Sequence, residues 1–212
     1  MNLQSLASHT IDVDLLPETP VVLDVGCRWF DFSTAMIAHR PEARIIAMDP
    51  SSDVTLDDGS LPLKNHKPFL FIDAALIGGD ELDVWFGEGI AGDGGGNLVV
   101  STPAYGDYRV RRIPSRNIGY IMQHTCLGPI EHFDAVKLDC EGSEFDILEN
   151  WPGPIATQIS VEFHDWTGPW KQHGCDKAIN RLQAMGYKIV QHELSQQGTG
   201  IGHWDSLFVL GK

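Results

Sequence analysis

Short apolar runs alternate with helical patterns along almost the whole chain, which predicts an α/β fold with a mostly parallel sheet covered by helices on both faces. A second observation is the acidic, glycine-bearing turn that follows one of the apolar runs, Lys137-Leu-Asp-Cys-Glu-Gly-Ser-Glu144. In open α/β sheets, ligands bind just beyond the carboxyl ends of the strands. A third is the pair of closing apolar runs at 187–192 and 204–210, joined by a short polar loop, which predicts a C-terminal antiparallel hairpin.

The elements follow in order. Residues 21–25 read as a buried strand and 32–39 as a helix, with Asp31 or Ser33 as its N-cap. Residues 43–48 form a second strand, closed by Asp49-Pro50, and 69–74 a third. Residues 82–86 suit a short antiparallel extension, and the glycine-rich stretch 87–106 has no period and reads as a loop. Residues 108–113 alternate like an exposed strand, and Ser115 opens a helix to about His124. The fourth buried strand is 133–138, with a helix at 144–149. The fifth is 155–163, followed by a Trp-rich turn and a helix over about 171–185. Residues 1–19 are read as an N-terminal extension of a single domain spanning 1–212.

A formal charge of -14 across 212 residues argues against nucleic acid as a partner, because phosphate binding needs clustered Lys and Arg. The one dense basic group, Arg109, Arg111, Arg112 and Arg116, is too short for such a track. Cys27, Cys126, Cys140 and Cys175 show no C-x-x-C pair and no zinc-like spacing. No signal peptide and no membrane-spanning run is visible, so a cytoplasmic protein is expected, and a homodimer is left open.

Four sequence points should meet at the carboxyl edge of the sheet. Asp24-Val-Gly-Cys-Arg-Trp-Phe30 follows the first strand, where Gly26 permits a sharp turn before a helix N-terminus. Asp49 follows the second, where a carboxylate can accept from both hydroxyls of a ribose. Asp73-Ala74 follows the third and suits the amino group of a purine. Asp139 follows the fourth and suits an ammonium or sulfonium. Together they describe an adenosine-bearing, cationic cofactor. Asp24 could equally be a structural acid that binds neighbouring backbone N–H groups.

Lys137-Leu-Asp-Cys-Glu-Gly-Ser-Glu144 resembles the hallmark motif of the FkbM-type S-adenosylmethionine-dependent methyltransferases. The resemblance extends to Val21-Val-Leu-Asp-Val-Gly26, Asp49-Pro50, Arg111-Arg-Ile-Pro-Ser115, Val161-Glu162 and Asp205-Ser-Leu-Phe-Val209. It implies a Rossmann-like class I methyltransferase fold: a seven-stranded, mostly parallel sheet with helices on both faces. It also implies S-adenosylmethionine as cofactor and methylation of a hydroxyl on a sugar, lipid or secondary metabolite. Asp24, Gly26, Cys27, Arg28, Asp49, Pro50, Asp73, Ala74, Asp139 and Glu141 are the cofactor-contact positions expected on this basis. One departure is Phe30, which stands where the family usually has a second glycine. The phenyl group could crowd the cofactor, or Arg28 could reach the cofactor carboxylate along a different loop path. A pocket filled by Arg28-Trp29-Phe30 would make the domain a non-catalytic binding module. A nicotinamide-dependent oxidoreductase is disfavoured, because G-x-G-x-x-G is absent after the first strand.

His164 follows the fifth strand and is the expected general base, with Asp139 beside it; a histidine that merely holds the loop is the alternative. Glu144 is expected to favour a helix N-terminus electrostatically. Asp139, Glu141 and His164 could also form an oxygen/nitrogen site for a divalent cation such as magnesium. Trp151, Trp166 and Trp170 are candidates for an aromatic wall at the same edge, or for core cover.

Overall fold

The computed structural model describes residues 1–50, 63–79, 83–89, 98–100, 108–164, 174–196 and 202–211. The main sheet is built from β3 (Val21–Val25), β4 (Arg44–Met48), β5 (Phe69–Ile72), β10 (Ala135–Leu138), β11 (Gln158–Phe163), β12 (Tyr187–Gln196) and β13 (Gly202–Leu210). Its seven strands run in the order β12-β13-β11-β10-β3-β4-β5. Pairing is parallel from β11 through β10, β3 and β4 to β5, while β13 runs antiparallel between β11 and β12. The order reverses direction at β3, so the crevice beyond the ends of β3 and β10 is the switch point where such sheets bind ligands.

The central strands are apolar on both faces, as buried parallel strands must be. Leu23, Val25, Ile46, Met48, Val136 and Leu138 pack under α2 (Ile118–His124), α3 (Glu144–Glu149) and α4 (Gly174–Ala184). Their alternates Val22, Ile45, Ala47 and Ala135 pack under α1 (Asp31–His39). The strand and helix expectations hold, with ends shifted by a few residues. Two differences are physical. The first helix is capped neither by Asp31 nor by Ser33: Phe30 precedes it in a left-handed conformation, and Ser33 is buried. Ser115 lies in a strand, β9 (Tyr108–Arg116), and Asn117 caps α2 by accepting from the Tyr120 N–H at 2.8 Å.

Two pieces lie outside the expected scheme. Residues 3–12 form a hairpin of β1 (Leu3–Leu6) and β2 (His9–Asp12), whose turn residues Ala7 and Ser8 both have positive φ. Gln158 on β11 docks it, donating to the Asp12 carbonyl and accepting the Asp12 N–H. A second sheet orders β6 (Ala75–Leu76), β9, β7 (Asp83–Gly89) and β8 (Leu98–Val100) as β6-β9-β7-β8. It turns the expected extension at 82–86 into a strand paired antiparallel with β9. The stretch 87–106, expected as a loop, contributes residues 87–89 to β7 and 98–100 to β8, which pair antiparallel; the rest of it lies outside the described residues. No helix among the described residues is long and apolar enough to cross a membrane.

Candidate functional site

The loops after β3 and β10 touch directly. Gly26 sits at φ +74°, and a Cβ there would stand 1.7 Å from the Asp139 carbonyl oxygen. Its N–H and that of Cys27 both bond to the Met48 carbonyl, at 2.9 and 3.2 Å. Glycine is therefore required by backbone contact, independently of any ligand. Next along the chain, the Arg28 N–H donates to Asp49 Oδ2 at 2.9 Å, so Asp49 is held at the mouth of this turn. Arg111, from the basic segment on β9, donates to the Pro50 carbonyl and fixes the turn after β4.

Above these loops lies a cavity of about 390 Å³, a size suited to a small-molecule ligand. Nine of the ten expected cofactor-contact residues line it: Asp24, Gly26, Cys27, Arg28, Asp49, Pro50, Ala74, Asp139 and Glu141. Asp73 does not; it is exposed, while its neighbour Ala74 is buried on the cavity wall. The hairpin turn, Ala7 to His9, closes one side.

Phe30 is fully buried and faces away from the cavity. Its ring meets Phe69 and Phe71 edge-on, with centroids 5.7 and 5.6 Å away. Of the two alternatives the sequence leaves open, the loop takes the different path, and Phe30 does not crowd the cavity. Trp29 and Phe30 both take left-handed φ, at 62° and 60°, which carries the chain around that ring. Trp29 is exposed instead, with the Arg28 guanidinium 4.7 Å over its ring.

A buried ionic row crosses the sheet beneath the cavity. Lys137 lies opposite Asp24 in the parallel register. Its Nζ is 3.4 Å from Asp24 Oδ1 and 3.4 Å from Asp139 Oδ2, and it donates to the Gly26 carbonyl at 2.5 Å. Asp24 also accepts from Ser33 Oγ at 2.5 Å, so the acid is part of the frame as well as part of the wall. Burial alone lowers the affinity of Lys137 for its proton, but Asp139 and Asp24 outweigh it and push the ammonium well above its usual range. Burial likewise raises Asp139, and Lys137, His9 and His164 together hold its carboxyl well below the usual range.

The acidic motif builds a second tier. Glu144 is fully buried and takes the N–H groups of Cys140 at 2.6 Å and Gly142 at 2.9 Å. It thus folds its own loop rather than only favouring the helix terminus. Its Oε1 lies 3.0 Å from His164 Nδ1. His164 Nε2 faces Glu162 at 3.3 Å, Glu141 at 3.6 Å and Asp139 at 3.9 Å. Burial disfavours the imidazolium, yet the surrounding carboxylates, Glu144 foremost, hold its pKa well above the ordinary value. A histidine that keeps its proton is a poor general base, and His164 does not line the cavity. Glu141, at φ 53°, does line it; burial and then the neighbouring carboxylates, opposed by His164, push its carboxyl up to about 7.

The remaining expectations sort by position. Cys27 and Cys140 line the cavity, and burial pushes both thiols up, which suits packing residues. Trp151 is fully buried in the core beyond α3, away from this edge, and Trp166 and Trp170 lie outside the described residues. Sequence reasoning gave no role to Lys137, whose charge inside an apolar strand was a usable signal. It also passed over His9, which reaches the site from the unforeseen hairpin.

A scan against protein-family models finds no match, and a search of curated proteins finds none either. Solved structures do match. A fibrillarin pre-rRNA processing protein of Methanococcus jannaschii aligns at a TM-score of 0.54 and 11% identity over 95% of this chain and 71% of that one. Methyltransferase FkbM from Methylobacillus flagellatus aligns at 0.50 and 12% identity, over 93% of this chain but 45% of that one. At these identities the likeness is one of fold. The chain has the Rossmann-like class I methyltransferase fold, with the sheet order and C-terminal antiparallel hairpin described above. The likeness to FkbM is shown at that level.

Proposed function

We propose that the protein is an S-adenosylmethionine-dependent methyltransferase acting on a hydroxyl group of a small molecule, glycan or lipid. The observation that carries this reading is the cavity at the switch point, which gathers Gly26, Asp49 and Asp139 from the loops after three adjacent strands. Its donor set fits the cofactor: carboxylates accept hydrogen bonds only, which suits ribose hydroxyls at Asp49 and an amino group near Asp139. By strand spacing those two ends lie about 10 Å apart, separated by β3 alone. When bound, S-adenosylmethionine supplies an electrophilic methyl group on a sulfonium.

The chain's own contribution is placement and exclusion of water. Asp49, fixed by the Arg28 N–H, anchors one end. Asp139, balanced by Lys137, gives the other end a fixed negative charge. Glu141 is the carboxylate on the cavity wall best positioned to accept the acceptor's proton, and His164 ties Glu144 at the start of α3 to Glu162 on β11. The charge of -14 supports an uncharged or cationic acceptor over a polyanion. The seat of Phe30 in the core removes the reason for a filled, non-catalytic pocket.

Isothermal titration with S-adenosylhomocysteine tests the reading directly. Binding is expected, and Asp49→Ala should weaken it by roughly 1.5–3 kcal/mol, the range for hydrogen bonds to a charged group. A folded protein that does not bind, or an Asp49→Ala variant with unchanged affinity, rejects the cofactor assignment. Mass spectrometry against glycan and metabolite hydroxyls then identifies the acceptor.

A further inference from the structure

The face of the sheet that carries Asp24 and Lys137 continues across β11 and β13 as a row of polar and ionisable side chains. On β11, Gln158, Ser160 and Glu162 alternate with the apolar Ile159, Val161 and Phe163. Glu162 pairs in register with Asp205 on β13, and His203 lies two residues before Asp205 on the same strand. The hairpin lowers His9 onto this row. His9 is 3% exposed and braced edge-on against Phe32. One ring nitrogen, Nδ1, is 3.4 Å from Ser160 Oγ, and the other, Nε2, turns to Asp139 Oδ2 at 3.4 Å.

We propose that His9, Asp139 and Glu162 bind a single transition-metal dication at the end of the cavity opposite Asp49. One ligand atom from each lies within 4.8 Å of the others. Hydrogen-bonded imidazole–carboxylate pairs close to about 2.7–2.9 Å. His9 and Asp139 stand at 3.4 Å instead. That longer separation also accommodates two ligands sharing one ion with bonds of about 2.0–2.2 Å in a tetrahedral arrangement. The neighbours supply the outer support that metal ligands need. Ser160 sets the His9 ring, while His164 Nε2 and His203 Nδ1 each lie 3.3 Å from Glu162 Oε1, and Asp205 backs His203 at 3.6 Å. One imidazole and two carboxylates favour zinc, manganese or iron(II) over calcium. Lys137 is the one lysine or arginine placed against this group among the described contacts, facing Asp139.

Asp139 and His9 are on the cavity wall, so the ion would border the space for the acceptor. Resting on the methyltransferase reading, its role would be to hold the acceptor hydroxyl and favour its deprotonation, as bound dications do. The acceptor class is then a molecule with an oxygen free to enter a metal's coordination sphere.

The test uses the full chain, stripped with EDTA and titrated separately with zinc, manganese and iron(II). Melting curves are recorded for each protein. One equivalent should bind and raise the melting temperature. His9→Ala and Glu162→Gln should each weaken binding by about 100-fold or more, exceeding the loss typical of outer-shell partners. If folded wild type binds none of the three stoichiometrically, or if both variants bind as wild type does, the site is refuted. A variant that fails to fold is replaced by His9→Gln or Glu162→Ala and judged by the same criterion. Titration with S-adenosylhomocysteine in EDTA keeps the two readings apart. Metal binding by a protein that does not bind S-adenosylhomocysteine leaves the ion site standing alone, and S-adenosylhomocysteine binding in EDTA by a protein that takes up none of the three metals refutes the ion site but keeps the methyltransferase.

Discussion

Replacing Phe30 by alanine and by glycine separates two contributions that the structure superimposes at one residue. The ring is fully buried against Phe69 and Phe71, and truncating such an aromatic costs about 3–5 kcal/mol. The backbone at Phe30 is left-handed, φ 60°, which strains an L-residue by roughly 1–2 kcal/mol. Alanine loses the packing and keeps the strain. Glycine loses the packing and relieves the strain, less the roughly 0.5–1 kcal/mol of extra freedom it gains when unfolded. Urea unfolding should therefore show both variants destabilised, with glycine less so than alanine by up to about 1.5 kcal/mol. S-adenosylhomocysteine titration of Phe30→Gly should show no tightening, because the ring is outside the cavity. Tighter binding with unchanged stability would mean that the phenyl group does crowd the pocket, and the loop path described here would be wrong.

Other outcomes follow from the buried charges. Lys137→Met leaves Asp24 and Asp139 facing each other without their cation and should cost about 3–5 kcal/mol in urea unfolding; adding Asp24→Asn should recover part of it. In metal-free protein, Glu141 binds its proton more tightly folded than unfolded. Its contribution is full below pH 4.5 and lost as pH rises toward 7, up to about 3 kcal/mol, so Glu141→Gln should flatten that part of the stability profile. The raised pKa of His164 acts with the same sign from 6.5 upward. NMR titration of its imidazole should find it still charged above pH 7, and titration at the ordinary value would refute the carboxylate clamp described here.

The parallel sheet was legible because its strands are buried on both faces, and continuous apolar runs such as Ile45 to Met48 have few other uses. The edge loops were legible for a related reason: Asp24, Asp49 and Asp139 each lie within or just beyond a run of that kind. What escaped had no local signature. The turn of the β1–β2 hairpin uses Ala7 and Ser8 at positive φ, where a reader looks for Asn or Gly. Phe30 was left open between two paths because its left-handed backbone, which swings the ring into the core, is invisible in a residue type that rarely adopts it.

One signal in β11 did point toward the hairpin and the histidine it carries. A strand with parallel and antiparallel neighbours on its two sides lies inside the sheet and should be apolar on both faces. Gln158, Ser160 and Glu162 break that expectation on one face only, while Ile159, Val161 and Phe163 keep it on the other. Gln158 and Ser160 are buried all the same, so each needs a polar partner that the other sheet strands do not provide. Gln158 finds it in the Asp12 backbone, and Ser160 in His9. The N-terminal segment is thus bound to the sheet by polar matching as well as by Leu6, Ile11 and Val13. The same docking brings an imidazole beside the carboxylates at the strand ends. Removing the hairpin would therefore leave Gln158 and Ser160 unpaired and deprive Asp139 of one of its two nearest cationic or imidazole partners.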